Sequence, residues 1–492
     1  LTPVWLSDRL NELGGDPRLG IATAERPERV VVDYSAPNVA KEMHVGHLRS
    51  TIIGDALVRI LSHLGHDVVR QNHVGDWGTP FGMLIEHLLD LGEEEAADEL
   101  SVGDLTAFYQ EARKKFDGDQ EFADRARRRV VLLQAGDGET LRLWHLLVEE
   151  SKRYFNVVYR RLGVLVTDDD LAGESYYNDM LGPTCDELEK QGIAVPSQGA
   201  LCMFPPGFSG RDGGPMPLMV KKSDGGYGYD ATDLAALRYR VQALGATWIV
   251  YVVGAPQAQH LALVFAGAEL AGWIGGDTGR RAVHVGFGSI LGADGRMLKT
   301  RTGGSAKLMD LLDEAVERAA AIVAERSELS AGEQAAVAEA VGIGGVKYAD
   351  LSNDRARDYT FDYDRMLATD GNTAAYLQYA VARCRSILRK GAAEAVTPGE
   401  VVVQEPAERA LALALLRLDG AVRAAACDLA PHKLCGHLFD LAQAFTSFYD
   451  ACPVLKAPDP ATQASRLALC RLTADCLALG LSLLGISAPD RM

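Results

Sequence analysis

The chain's apolar residues fall into two rhythms. Val30-Val31-Val32 is a short unbroken apolar run, the pattern of a buried strand. It leads into Ser35-Ala36-Pro37-Asn38, which is loop text. Ile52, Ile53, Leu57, Ile60, Leu61 and Leu64 then recur at helical spacing, Gly65 closes that helix as a C-cap, and Val68-Val69 starts a second strand. Strand, loop, helix, strand is the βαβ unit of a parallel, doubly wound sheet. From about 90 to 165 the text turns rich in Glu, Arg and Leu with helical periodicity, which predicts a helical insertion. Sheet text returns in Thr247–Val253, followed by a helix over Gln259–Leu270 and a strand over Val283–Phe287. Strands that resume after an insertion predict one nucleotide-binding domain split in two. Beyond about 310 nearly everything is helical. Leu377, Ala380, Val381, Cys384, Ile387 and Leu388 form one stripe, and Leu438, Leu441, Phe445, Phe448 and Tyr449 another. The expected fold is therefore α/β: a split doubly wound parallel sheet with a helical insertion, followed by an all-α helical bundle.

Bulk composition narrows this only a little. The 492 residues allow two to four domains, and their apolar and charged fractions are ordinary for globular chains. No run of 18 apolar residues occurs, so no membrane span is expected, and the N-terminus lacks the pattern of a signal peptide. A net charge of −17 argues against a basic coat but leaves room for a local basic track, which is what nucleic-acid affinity requires. The eight cysteines include no C-x-x-C pair, and five (Cys427, Cys435, Cys452, Cys470, Cys476) stand in apolar helical text, so they read as buried free thiols of a cytoplasmic protein.

Two motifs carry candidate chemistry. His44-Val45-Gly46-His47 lies between the first strand and its helix. A helix N-terminus there favours a triphosphate, two histidines can donate to phosphate oxygens, and Gly46 leaves room for an adenine or ribose. By itself the motif also fits two polar residues at a helix start, or a metal pair. Far downstream, Gly295-Arg296-Met297-Leu298-Lys299-Thr300-Arg301-Thr302-Gly303-Gly304 is a basic, glycine-flanked loop. Such a loop can close on a triphosphate, or simply be solvated.

Together these motifs resemble the HIGH and KMSKS signatures of class I aminoacyl-tRNA synthetases, with Lys299 at the second lysine of the latter. Ser35–Ser50, Asn72–Gly78, Gly173-Glu174-Ser175, Tyr229–Asp233, Gly371-Asn372-Thr373 and Tyr376–Tyr379 resemble the arginyl branch more specifically. The likeness runs from about residue 30 to Met492. It implies a Rossmann-like catalytic domain over 30–340 and an α-helical anticodon-binding domain over 345–492. Residues 1–29 then read as a lead-in remnant, with the family's own N-terminal domain absent. Arg296 replaces the loop's first lysine, and the resemblance assigns its compensation to Lys41. Gly254-Ala255-Pro256-Gln257 departs from the Asp-Ala-Arg-Gln of many relatives, leaving only Gln257 in common.

The resemblance implies an arginine–tRNA ligase that makes arginyl-adenylate from arginine and ATP with Mg²⁺, needs bound tRNA for that step, and passes arginine to the 2′-hydroxyl of the tRNA's terminal adenosine. Catalytic candidates are His44, His47, Lys299 and Lys41; ATP contacts are His44, Gly46, His47, Arg296, Met297 and Lys299. A guanidinium offers five N–H donors in a planar fork and calls for carboxylate and carbonyl-type acceptors. The arginine candidates implied are Asn38, Glu174, Tyr229, Asp233 and Gln257. Tyr229 and Asp233 share a face if that segment is helical. Without the resemblance, Asp233 reads as a helix N-cap or first-turn acid and Glu174 as a turn acid. For tRNA, Tyr379, Arg383, Tyr449 and Met492 are candidates, since single-stranded bases stack on aromatic rings, although both tyrosines also fit half-buried bundle positions. The run Arg125–Arg129 reads as a solvated helix face or a phosphate contact. No protein metal site is expected, and a monomer is. The alternatives are a paralogue forming arginyl-adenylate for a non-tRNA acceptor, and an inactive RNA-binding homologue.

Overall fold

The computed structural model describes residues 1–92, 105–210, 213–298, 306–326 and 329–492. The chain forms two compact units. One comprises Glu28–Gly54 and Asp67–Gly286, the other Leu1–Pro27, Asp55–His66 and Phe287–Met492.

The first unit is built on a parallel sheet. β1 (Arg29–Asp33) pairs with β2 (Asp67–Gln71) on one side and with a strand over Trp248–Tyr251 on the other, which in turn pairs with one over Arg281–His284. Val30, Val31 and Val32 are fully buried because helices cover both faces of the sheet, which is why this strand reads as unbroken apolar text. α2 (Val45–His63) follows β1, as its periodicity predicts. Gly54 lies against the Tyr34 ring, where any Cβ would sit 2.3 Å from the ring carbons. The insertion is helical: α3 (Thr79–Leu91), α4 (Leu105–Gly118), α5 (Gln120–Gln134) and α6 (Gly138–Leu162). Much of the basic run is turned inward, Arg125 onto Asp90 and Glu86, and Arg129 onto Glu86.

One element is absent from the sequence reading. β3 (Ala194–Ser197), β4 (Ala200–Met203) and β5 (Leu218–Lys221) form a small antiparallel sheet after α7 (Asn178–Lys190). Each strand has four residues, too few for a period of two to stand out, and Pro196 sits on an edge strand. Then come α8 (Tyr229–Gln242), β6 (Trp248–Tyr251), α9 (Ala258–Leu270) and β7 (Arg281–His284). The sheet order is β2-β1-β6-β7. Connections leave β1 in opposite directions across the sheet, so a topological switch point lies between β1 and β6, where open α/β sheets bind ligands at the carboxyl ends.

The second unit is mainly helical. Short β8 (Ile290–Leu291) and β9 (Tyr359–Thr360) pair in parallel. Around them run α10 (Leu308–Arg326), α11 (Ala331–Leu351), α12 (Tyr363–Met366), α13 (Ala374–Ala393), α14 (Pro406–Leu415), α15 (Leu418–Cys427), α16 (His432–Ala451) and α17 (Pro460–Leu483). Gly480 lets α17 press on Leu438 of α16, where an added Cβ would come within 2.3 Å. The segment read as a lead-in holds a helix, α1 (Pro3–Gly15), that is part of this bundle. Leu6, Leu10 and Leu13 are buried, and Asn11 exchanges two hydrogen bonds with the Val401 backbone, at 3.1 and 2.8 Å. Among the described residues all eight cysteines are free thiols, and Cys427, expected to be buried, is exposed. No helix is long and apolar enough to cross a membrane among the described residues.

Candidate active site

The loop from β1 to α2 is strained and tied down. Ser35, Ala36 and Ala40 have φ of 76°, 48° and 58°, in the left-handed region that non-glycine residues avoid. Buried polar groups hold them there. Ser35 N–H donates to Ser50 Oγ at 2.9 Å, and Ser50 Oγ–H donates to the Val252 carbonyl at 2.6 Å. Ser35 Oγ and Tyr159 Oη lie 2.8 Å apart, and Asn72 donates to Tyr159 Oη at 2.9 Å while accepting the Ala36 N–H at 2.9 Å. The Ala40 N–H reaches Ser151 Oγ at 2.9 Å. Tyr159 and Ser151 both belong to α6, so the insertion clamps the loop.

His44 and His47 end this loop at the start of α2, their ring centroids 4.0 Å apart. His44 Nδ1 accepts the Gly46 N–H at 3.0 Å, and His47 Nδ1 accepts the His44 N–H at 3.1 Å. Burial lowers the His47 pKa to about 3, with a smaller push from His44. Burial, then the charge of Lys41, lowers that of His44. Both rings are therefore neutral near pH 7, and with Nδ1 accepting, each carries its proton on Nε2 as a hydrogen-bond donor. The space over Gly46 is taken by His44 rather than left open: a Cβ there would sit 2.8 Å from His44 Cε1. Lys41 Nζ lies 4.1 Å over the Tyr109 ring.

At the switch point a cavity of about 410 Å³ opens at the carboxyl ends of β1 and β6. Glu174, Tyr229, Asp233 and Gln257 all line it, so four of the five arginine candidates meet in one place. Asn38 is not on its wall; it is exposed and stacks closely on Gly75, where a Cβ would lie 2.4 Å from Asn38 Oδ1. Glu174 begins a short 3₁₀ turn, and the Ser175 N–H and Oγ–H behind it both bond Asp76, at 2.9 and 2.7 Å. Burial raises the Glu174 pKa to about 7, with Asp76 and Asp233 adding to it. Tyr229 and Asp233 share a face of α8 as expected. Asp233 is neither cap nor first-turn acid, however: Gly228 is the N-cap and Asp230 the first-turn acid.

Sequence reasoning missed several wall residues. Asp33 ends β1 and pairs with the fully buried Arg240, Nη2 to Oδ2 at 2.9 Å, while Arg240 Nε donates to Gln71 Oε1 at 2.6 Å. Burial opposes the Arg240 charge, but Asp33 outweighs it and its pKa is raised. Asp33 is thus neutralised from behind, leaving Glu174 and Asp233 as the carboxylates facing the cavity without a cationic Arg or Lys partner among the described residues. His260 also lines the cavity, one helical turn after Gln257, a spacing that could have pointed to it.

In the helical unit, Arg296 and Met297 lie on a tight turn. The Gly292 N–H donates to the Arg296 carbonyl at 2.8 Å, Gly295 has a φ of +70°, and Met297 is 65 % exposed. Lys299 lies outside the described residues. Tyr379, Arg383, Tyr449 and Met492 meet in a groove of about 730 Å³ that also takes in Arg389 and Lys390. The Arg383 guanidinium is 4.8 Å from the Tyr379 ring and 5.3 Å from that of Tyr449, and both tyrosines are exposed.

A doubly wound sheet, neutral imidazoles at the first helix and a cavity at the switch point define a nucleotide-binding α/β protein. Comparison with known proteins narrows this. The catalytic-domain model of the tRNA synthetases class I (R) matches residues 11–363, and that of the DALR anticodon binding domain matches 377–492. The arginine–tRNA ligase of Thermobifida fusca is 58% identical over 99% of this chain and 84% of its own length. Among solved structures, the arginyl-tRNA synthetase of Plasmodium falciparum superposes with a TM-score of 0.84 at 32% identity, covering 100% of this chain and 83% of that one. That of Thermus thermophilus gives 0.81 at 27%, covering 99% and 86%. The chain belongs to the class I tRNA synthetases of the arginyl type.

Proposed function

We propose that this protein is an arginine–tRNA ligase, which couples arginine to ATP as arginyl-adenylate and then esterifies it to tRNA. The observation that carries the reading is the switch-point cavity with two facing carboxylates, Glu174 and Asp233, beside Tyr229 and Gln257. A planar cation is bound by carboxylates that accept its N–H fork in pairs, with an aromatic ring against its face. Asn38 takes the α-amino or carboxylate end.

In the first step the arginine carboxylate attacks the α-phosphorus of ATP in line and pyrophosphate leaves. Little covalent work falls to the protein, and positioning and electrostatics dominate. The Nε2–H groups of His44 and His47 donate to phosphate oxygens as charge grows there. Lys41 adds positive charge there, and the family resemblance assigns Gly46, Arg296, Met297 and Lys299 to ATP binding as well. A divalent cation such as Mg²⁺, if bound with ATP, would supply further positive charge against the phosphates. Among the described residues no group of three or more His, Cys, Asp or Glu side chains gathers to hold a metal, so no protein ligand is assigned to it. In the second step the 2′-hydroxyl of the terminal adenosine attacks the arginyl carbonyl and AMP leaves. The Tyr379–Arg383–Tyr449 groove with Met492 receives unstacked anticodon bases. The reading extends to a monomer acting in the cytoplasm.

ATP–pyrophosphate exchange tests this with arginine, lysine and citrulline, each with and without tRNA. Arginine with tRNA is expected to exchange. Lysine lacks the fork and citrulline the charge, and both fall by at least a hundredfold in kcat/KM, since unpaired pocket carboxylates are costly. No arginine-dependent exchange and no charging would overturn the assignment. Exchange without tRNA, coupled to trapping by hydroxylamine but no charging, would favour a non-tRNA acceptor.

A further inference from the structure

His260 stands at the start of α9 and touches three residues of α8 at once. Its Nε2 is 2.5 Å from Asp233 Oδ2, and its Nδ1 is 3.5 Å from Asp230 Oδ1. Its ring meets Tyr229 edge-on, centroids 4.9 Å apart. Asp230 is anchored on its far side, where Oδ2 accepts the Met219 N–H at 2.9 Å. One imidazole thus braces both guanidinium candidates of α8 against a neighbouring helix and strand.

We infer that His260 is a positioning residue for arginine selection: it takes one oxygen of Asp233 as a hydrogen-bond acceptor, leaving the other for the guanidinium, and props the Tyr229 ring. The inference rests on the arginine reading of the cavity. A carboxylate on a half-open wall otherwise samples several rotamers, and freezing it on binding costs affinity. A histidine bond formed beforehand removes that cost and fixes the angle at which the fork must arrive.

The same contact ties arginine binding to a proton. Burial lowers the His260 pKa, but the bond to Asp233 and the charges of Asp233 and Asp230 outweigh it and the pKa is raised. The other titratable groups of the cavity are Glu174, His73, Tyr229, Tyr251 and Asp33, the last held by Arg240. An entering guanidinium brings positive charge to Asp233 and so disfavours the charged form of His260. The proton that form gives up to solvent is the one on Nδ1, with the Nε2–H kept on Asp233, so arginine binding is linked to proton release.

Three variants of the full chain test this with saturating tRNA and ATP. His260→Ala is expected to raise the arginine KM at least tenfold with kcat within threefold. His260→Gln, whose amide N–H reaches towards the Nε2 position, recovers most of that loss, and the shorter His260→Asn does not. Calorimetric titration of the tRNA-bound enzyme with arginine, in two buffers of different ionisation enthalpy, gives fewer protons released for His260→Gln than for the unsubstituted protein. An unchanged arginine KM in His260→Ala, or equal kcat losses in all three variants, would overturn the inference while leaving the arginine assignment in place. Absence of arginine-dependent exchange in the unsubstituted protein would instead remove the cavity reading beneath it.

Discussion

Glu174 stands near half-titration at neutral pH, because burial and two neighbouring acids raise its pKa to about 7. Only the carboxylate can pair with a guanidinium, so the protonated form binds arginine poorly. The sign follows: as pH rises from 6 to 8, Glu174 ionises and the arginine KM falls. His260, whose pKa is raised by Asp233 and Asp230, acts in the same direction wherever it titrates, since arginine disfavours its charged form. His47, neutral above a pKa of about 3, adds no bend in that window. Steady-state kinetics at saturating ATP and tRNA should show the trend in KM for the native chain. Glu174→Gln should raise the KM at least tenfold and make the profile shallower, leaving only the contribution of His260. A native KM that does not vary between pH 6 and 8 would count against Glu174 as an arginine ligand. At this scale the sequence supplied residue types, and the family likeness supplied their roles. Neither could show that Asp33 is neutralised by Arg240, or that Asp233 is shared with His260, since those partners lie far off in the chain or one helix on.

Among elements, the decisive one for the loop is α6, from the insertion. Its Tyr159 bonds both Ser35 and Asn72, and its Ser151 caps Ala40. Left-handed backbone at Ser35, Ala36 and Ala40 costs about 1–3 kcal/mol each, so these bonds compete with relaxation of the loop. Tyr159→Phe removes one hydroxyl from a buried network and is expected to cost about 1–3 kcal/mol in urea unfolding. It should also lower kcat for exchange at least fivefold, because His44 and His47 end the loop, and raise the arginine KM as well, because Ala36 of the same loop lines the cavity. A native kcat in that variant would show that the network is not needed to hold the histidines. The elements themselves were readable where they are long and periodic, as in α2, α6 and α13. The three strands β3–β5 were not, because four residues carry too little pattern.

For the whole chain, the division into two compact units implies separable defects. Tyr449→Ala removes a ring from the Arg383 groove. Loss of one stacked base is worth about 1–3 kcal/mol, so the KM for tRNA should rise roughly fivefold to a hundredfold. Arginine and ATP KM values, measured at saturating tRNA, should remain within twofold. An unchanged tRNA KM would remove Tyr449 from the tRNA surface. The helix α1 belongs to this same unit, although nothing in its short amphipathic text says which surface its leucines seek.

Local order is what the sequence by itself determined: the central strand, the helical stretches, the histidine motif at a helix start and the acid types that suit a guanidinium. Each depends on neighbours within a few residues, and a linear text records such neighbours directly. Tertiary structure alone decided that Glu174, Asp233 and Gln257 face one cavity, that Asp33 is paired with Arg240, that His44 fills the space over Gly46, and that α1 joins the bundle. Those outcomes depend on which surfaces pack together across tens to hundreds of residues, and packing is chosen by shape and burial summed over the whole fold.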